Sequence, residues 1–255
     1  MVEARIVGAA KAGALQPWPK RPARLAPAVV EALVDQIVAR GFPPGTTLPV
    51  EPDLCAVFGV SRTTIREAVK SLEAKGLVRA RQGQGTTVTE PENWNLLDPV
   101  VLAATVQHDD ELVILDQLVG VRSALESQMA AQAARSATSD DLRSIETLLT
   151  RLDVETAQPA SFVETDVAFH DRIMQASGNI LARSIVRIVH VQARTTTLYN
   201  GIPDRAACAL SNDEHRHIWE RLVARDAEGA AQAMSGHIET AWQRRRSPAM
   251  RVAEH

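Results

Sequence analysis

The order of predicted elements between residues 27 and 88 limits this chain to few folds. The segment PAVVEALVDQIVARG carries apolar residues at the spacing of one helix face, and it ends at Gly41. A turn-rich connector, FPPGTTLP, leads to a short second helix, EPDLCAVFG, and Ser61 then caps a third helix. The next segment, LVRARQGQGTTVTE, alternates around QGQG, which predicts two strands joined by a glycine-containing turn. This is the order of a winged helix-turn-helix.

The predicted third helix has an apolar stripe and a basic side. Ile65, Val69 and Leu72 share the stripe that would pack on the first two helices. The opposite side carries four side chains that suit a polyanion: Arg62, Thr63, Arg66 and Lys70. Arginine binds guanine or phosphate through two hydrogen bonds, and threonine hydroxyls bind phosphates. A solvated basic face is the usual interpretation of such a helix alone, but this order of elements favours DNA binding.

The glycine-bearing hairpin is the predicted wing. Gly83 and Gly85 would let its tip approach a nucleic-acid backbone closely, as a wing in the minor groove must.

Charge and composition differ between the two parts of the chain. Residues 1–90 contain 12 Lys and Arg against 8 Asp and Glu, whereas residues 91–255 contain 16 against 23. We therefore expect only the first part to contact a polyanion. An aromatic content of 4% and long runs of Ala, Leu, Val and Arg favour helices over a sandwich or barrel. The predicted fold is mostly α: a winged helix-turn-helix with a small β-hairpin wing, then an all-α helical-bundle ligand-binding domain.

Proline and glycine positions divide the chain into five predicted segments, since Pro91 and Pro99 bracket a break in the pattern. The segments are a disordered leader (1–25), the winged helix-turn-helix (26–90), a linker (91–99), the all-α domain (100–247) and a frayed tail (248–255). After the linker, helices are predicted near residues 98–108, 110–136, 138–156, 160–176, 179–200, 211–225 and 227–246. Thr138, Ser161 and Ser211 are their predicted starts.

The cysteines and the lack of long apolar runs predict a cytoplasmic chain. Cys55 and Cys208 form no disulfide framework, which is typical of a reducing compartment. No run approaches the ~18–20 apolar residues of a membrane span. The leader has acidic and basic residues scattered through it, so we do not interpret it as a secretion signal.

Four side chains of the second part have metal-binding spacing. Asp166 and His170 are one helical turn apart on one face. His215 and His237 lie eleven residues before and after a predicted turn at Asp226, so each would be ~16 Å from that turn, level on antiparallel helices. This ligand set suits zinc, with nickel or manganese also admitted. A solvated or satisfied pair is the alternative for Asp166 and His170 taken alone.

Two arginines are candidates for binding a small acidic effector. Arg122 interrupts an apolar helix face, and a guanidinium forks well onto a carboxylate. An ion pair with Glu126, one turn on, is an equal alternative. Arg194 is the second candidate for the same role.

The segment LPVEPDLCAVFGVSRTTIREAVKSLEAKGLVRARQGQGTTV resembles the DNA-binding domain of the GntR family of bacterial transcription regulators. GVSRTTIREA and LEAKGLV are its most specific parts. WNLLDPVVL and the helical remainder resemble the FCD subgroup, in which an effector-binding helical bundle controls DNA binding. The resemblance implies operator contacts by Arg62, Thr63, Thr64 and Arg66, with Gln84 and Gly85 at the wing tip. It also implies a metal site of one aspartate and three histidines at the four positions above.

The resemblance implies a homodimeric repressor, not an enzyme, that binds double-stranded operator DNA and responds to a small carboxylate. The WNLLDP linker is similar to that of regulators of sugar acids such as galactonate. One departure is Pro52, which stands where the family commonly has an arginine, so one DNA contact is in doubt. Two alternatives stay open: a metal-dependent helical hydrolase fused to a DNA-binding head, and a regulator whose metal is purely structural.

Overall fold

The computed structural model describes residues 24–81, 83–193 and 203–246, and these form two compact units that divide after His108. The leader 1–23, the tail from residue 247 and Arg194 lie outside the described residues. The predicted mostly α fold with one small hairpin is confirmed. Within the described part, no helix is long and apolar enough to cross a membrane.

The first unit is a three-helix core with a hairpin. Its elements are α1 (Leu25–Val38), α2 (Glu51–Phe58), α3 (Arg62–Ala74), β1 (Val78–Arg81), β2 (Gly85–Val88) and α4 (Pro99–Gln107). Leu33 of α1 and both Ile65 and Leu72 of α3 are fully buried, as their spacing predicts. Oγ of Ser61 accepts a hydrogen bond from the backbone N–H of Thr64 at 3.2 Å, which confirms the predicted N-cap of α3.

The predicted hairpin is present with its glycine turn. β1 and β2 pair antiparallel, with Val78 opposite Val88 and Arg81 opposite Gly85. Gly83 and Gly85 have φ of 76° and 84°, a region that side chains with a Cβ rarely adopt. The tip therefore depends on glycine at both positions.

Helix α4 belongs to the first unit, although the sequence predicts a linker at 91–99 and a second domain from residue 100. Oδ1 of Asp98 caps α4 by accepting from the backbone N–H groups of residues 100 and 101 at 3.0 and 3.2 Å. Val101 and Ala104 are buried in the first core, and Lys75, the residue after α3, pairs with Asp98. Because apolar burial holds α4 there, the division between the units falls after His108.

The second unit is a bundle of antiparallel and crossing helices. Its elements are α5 (Val113–Ser136), α6 (Ser139–Glu155), α7 (Pro159–Ala176), α8 (Ile180–Ala193), α9 (Arg205–Val223) and α10 (Ala227–Arg246). The longest helix, α5, packs along α10, while α9 packs on α10 and α6 on α7. Phe169, Leu115, Met129 and Ile145 are fully buried in this unit.

Two of the three predicted helix starts need correction. Thr138 is confirmed, since its side chain and that of Asp141 form a capping box. Helix α7 begins at Pro159, two positions before Ser161, because proline suits the first turn of a helix. Helix α9 begins at Arg205, not at residue 211, because Asp204 accepts from the backbone N–H of residue 207 at 2.7 Å.

Candidate functional site

The exposed side of α3 and the tip of the hairpin carry the residues predicted to contact DNA. Arg62, Thr63, Arg66 and Lys70 are exposed on α3, and Gln84 and Gly85 are exposed at the tip. Thr64 is half-buried, and its hydroxyl lies 2.9 Å from that of Ser61. Its hydroxyl is thus engaged at the N-terminus of the helix, where backbone N–H groups favour a phosphate.

Glu51 of α2 is a residue of this surface that the sequence did not single out. Nε of Arg66 donates to both carboxylate oxygens of Glu51 at 3.0 Å. The pair uses only the Nε edge of the guanidinium, so the two terminal amino groups are not used by Glu51. A carboxylate on this edge restrains the orientation of the exposed arginine side chain.

The four predicted metal ligands converge in the second unit. One candidate ligand atom from each of Asp166, His170, His215 and His237 lies within 4.8 Å of all the others. Nε2 of His237 lies 3.2 Å from Nε2 of His170 and 3.1 Å from Nε2 of His215. Oδ1 of Asp166 lies 3.1 Å from Nε2 of His215. The three imidazoles are buried, and the carboxylate is a fifth exposed.

Helix geometry explains this convergence. Asp166 and His170 are one turn apart on α7. Helices α9 and α10 are antiparallel neighbours joined by a short turn around Asp226, which places His215 and His237 level with each other. The mirrored spacing in the sequence thus predicted a real contact.

Carboxylates behind two of the histidines set their tautomers. Nδ1 of His170 lies 2.7 Å from Oε2 of Glu126, and Nδ1 of His237 lies 2.8 Å from Oε2 of Glu214. A neutral imidazole that donates from Nδ1 to a carboxylate has its lone pair on Nε2. With Nδ1 of both rings turned to a carboxylate, the two Nε2 atoms lie 3.2 Å apart on the side where a cation would bind both.

The distances also fit a shared ion. Two nitrogens bound to one zinc at ~2.0–2.1 Å are themselves about 2.9–3.4 Å apart at octahedral or tetrahedral angles. The observed Nε2 separations of 3.1 and 3.2 Å lie in that interval. Asp166, His170, His215 and His237 therefore suit a divalent transition metal.

Burial keeps the imidazoles in the form that binds metals. Burial, with the neighbouring His215, lowers the pKa of His237 to about 3, and burial also lowers the pKa of His215. Burial alone would raise the pKa of Asp166, but its hydrogen bond with His215 holds that pKa well below its ordinary value. The cluster is thus two neutral imidazoles of lowered pKa, a third imidazole and a carboxylate at neutral pH.

A cavity beside the cluster has basic residues in its wall. Arg122 of α5 and Arg244 of α10 line this cavity together with Asp166, His170 and His237. Nε of Arg122 donates to Oε1 of Glu126 at 2.7 Å, so the ion pair that the sequence offered as an alternative is present.

Two residues in the wall of this cavity, and one carboxylate behind the histidine cluster, were not predicted from the sequence. His190 lines the cavity, and burial lowers its pKa to about 3. Glu214 and Arg244 were not singled out, although Glu214 adjoins His215 in the chain. No periodicity could reveal them, because their role depends on which helices become neighbours.

A winged helix-turn-helix with an exposed basic helix, in one chain with a helical unit that holds a buried histidine cluster, defines a two-unit DNA-binding transcription regulator. Residues 25–88 match the family described as bacterial regulatory proteins, gntR family, and residues 117–240 match the FCD domain. The chain belongs to the GntR family.

Individual relatives agree with this membership. The chain is 30% identical over 205 residues to the galactonate operon transcriptional repressor of Escherichia coli (strain K12), covering 80% of this chain and 90% of that protein. It is 30% identical over 201 residues to the regulator LutR of Bacillus subtilis (strain 168), covering 76% and 89%. These relatives are transcription regulators, so the chain is not an enzyme, and the hydrolase alternative has no support.

A solved structure shares the fold. Lar, whose description says that it controls the expression of the Listeria monocytogenes agr system, superposes with a TM-score of 0.56. The match covers 87% of this chain and 96% of Lar at 18% identity, so it supports the fold and nothing about function.

Proposed function

We propose that this regulator is a homodimeric cytoplasmic repressor whose operator binding is released by a small carboxylate, a sugar acid, bound at a metal in the second unit. The observation that carries the proposal is the convergence of three imidazole Nε2 atoms and a carboxylate beside a cavity with three arginines in its wall. A relative named as a galactonate operon repressor supports a sugar acid as the effector.

Asp166, His170, His215 and His237 would hold the metal, for which zinc is the first choice and nickel or manganese fit the same ligands. A bound divalent ion supplies a positive charge that attracts carboxylate and hydroxyl oxygens. Arg122, in the cavity wall, would bind the effector's carboxylate through its guanidinium group. Arg194 keeps its proposed role in effector binding, although it lies outside the described residues.

In the proposed DNA complex, α3 enters the major groove. Arg62, Thr63, Arg66 and Lys70 would contact bases and phosphates, Thr64 would place a backbone N–H on a phosphate, and Gln84 and Gly85 would bring the wing to the minor groove. The effector acts only through a difference in its affinity for the DNA-binding and the released state.

Fluorescence anisotropy tests the proposal, with a duplex that the protein itself enriches from a random pool. The full chain is titrated onto the duplex with zinc and a panel of sugar acids and simple carboxylates. At least one acid is expected to lower DNA affinity, and the effect should vanish in His170→Ala. Indifference to every acid in the presence of zinc would remove the effector claim and leave the metal as a structural element.

A further inference from the structure

One hydrogen-bonded chain runs from an arginine to His170. Glu126 of α5 is fully buried and uses both of its oxygens. Its Oε1 accepts from Nε of Arg122 at 2.7 Å, and its Oε2 lies 2.7 Å from Nδ1 of His170. Arg122 therefore reaches the imidazole through one shared carboxylate.

A second chain of the same type ends at His237. Arg244 of α10 donates from its two terminal amino groups to Oε1 and Oε2 of Glu214 at 2.8 and 2.9 Å. Oε2 of Glu214 also accepts from Nδ1 of His237 at 2.8 Å. This second hydrogen-bonded chain is formed by different helices from the first. The same arrangement of arginine, glutamate and histidine therefore occurs twice without a shared local motif.

His215 is held in another way. Its Nδ1 is buried and has no hydrogen-bond partner among the described residues. Its ring packs instead against Phe162 and Phe169, with centroid separations of 6.3 and 4.8 Å. Packing orients this ring, whereas carboxylates orient the other two.

Both arginines also line the cavity that Asp166, His170 and His237 line. Each arginine therefore donates to a carboxylate that is hydrogen-bonded to a histidine. Each also lies in the wall of the cavity, where it could contact a bound anion. An anion in that space would compete with the carboxylate for the same guanidinium.

We propose that Glu126 and Glu214 are positioning residues for the metal ligands, and that Arg122 and Arg244 regulate metal affinity through them. This inference rests on the metal site proposed above and adds its regulation. A carboxylate that accepts from Nδ1–H fixes the ring and strengthens Nε2 as a ligand. An anion that binds the arginine in place of the glutamate would change the hydrogen bond between that glutamate and the histidine. By linkage, an anion at the arginines and the metal change each other's affinity by the same factor.

Cobalt(II) titration of the metal-free full-length protein tests the carboxylates, since its visible absorption reports the metal directly. Glu214→Gln keeps the shape of the side chain but removes its charge, and we expect cobalt affinity to fall about 10- to 100-fold. Glu220→Gln is the matched control on the same helix, because Glu220 is exposed and lies near His217, outside the cluster. Wild-type affinity in Glu214→Gln would overturn the proposal.

A double-mutant cycle tests the arginine. Arg244→Gln should weaken cobalt binding in the wild-type chain and have little further effect in the Glu214→Gln background, because the arginine acts through that carboxylate. Equal losses in both backgrounds would overturn this route.

Imidazole nitrogen NMR of the metal-free protein gives a readout that needs no metal. His237 is expected to carry its proton on Nδ1, and Glu214→Gln should change that pattern while leaving the other resonances in place. An unchanged His237 pattern would contradict the positioning role even if the fold is intact. If the wild-type chain fails to bind cobalt, both the proposed function and this inference fail. If the wild-type chain binds cobalt and Glu214→Gln binds it equally tightly, only this inference fails.

Discussion

At the scale of single residues, Arg66 has one partner in the structure and a second in the proposed DNA complex. Its pair with Glu51 is mostly exposed, so this pair adds at most about 1 kcal/mol to stability. Removing the side chain should therefore affect recognition more than folding. We expect Arg66→Ala to weaken operator binding about 10- to 100-fold in anisotropy titrations, with metal content unchanged. Arg143→Ala, an exposed arginine of the second unit, is the control, and unaltered affinity of Arg66→Ala would rule out the groove assignment.

The convergence of the four proposed metal ligands could be predicted from the sequence because their positions follow from helix geometry. Asp166 and His170 are separated by one turn, and His215 and His237 are equally far from a turn. Glu126 and Glu214 could not be recognised as partners of the histidines in the same way, since each hydrogen bond joins two separate helices. Such contacts depend on the packing of the whole unit.

At the scale of elements, the metal would tie α7, α9 and α10 together. A ligand that binds only the folded state at 100 times its Kd stabilises that state by about 2.7 kcal/mol. We therefore expect zinc to raise the melting temperature of the wild-type chain by several degrees and a chelator to reverse the rise. His170→Ala should lose the response to zinc. A wild-type melting temperature that is indifferent to zinc would contradict a site in the folded protein, and complete unfolding by the chelator would favour a structural metal.

Helix boundaries were predicted correctly where the local sequence signal was strong. They were missed where tertiary packing determines the boundary. Ser61 and Thr138 cap helices as their sequence context indicates. Ser211 resembled a start, but Asp204 caps α9 seven residues earlier. Helix α4 was assigned to the second domain because proline precedes it, whereas Val101 and its neighbours are buried in the first core. Proline marks where a helix begins and not which core the helix joins.

At the scale of the whole molecule, the proposed repressor requires two copies. A symmetric dimer presents two copies of α3 to half-sites about one helical turn, or ~34 Å, apart. Because each chain has a mass of 27.7 kDa, we expect sedimentation equilibrium to report a species of twice that mass. The enriched duplexes should be palindromic. A monomer at micromolar concentration, with single half-sites in the enriched duplexes, would contradict the dimer.

The proposed function depends most on one ion held by four side chains, and metal analysis by mass spectrometry tests for this ion directly. The full chain is purified without a chelating tag, beside His237→Ala as the ligand variant and His217→Ala as an exposed control. We predict about one divalent transition metal ion per chain in the wild type and the control, and almost none in His237→Ala. A wild-type chain without metal that also takes up none from added zinc, nickel or manganese would contradict the proposed metal site.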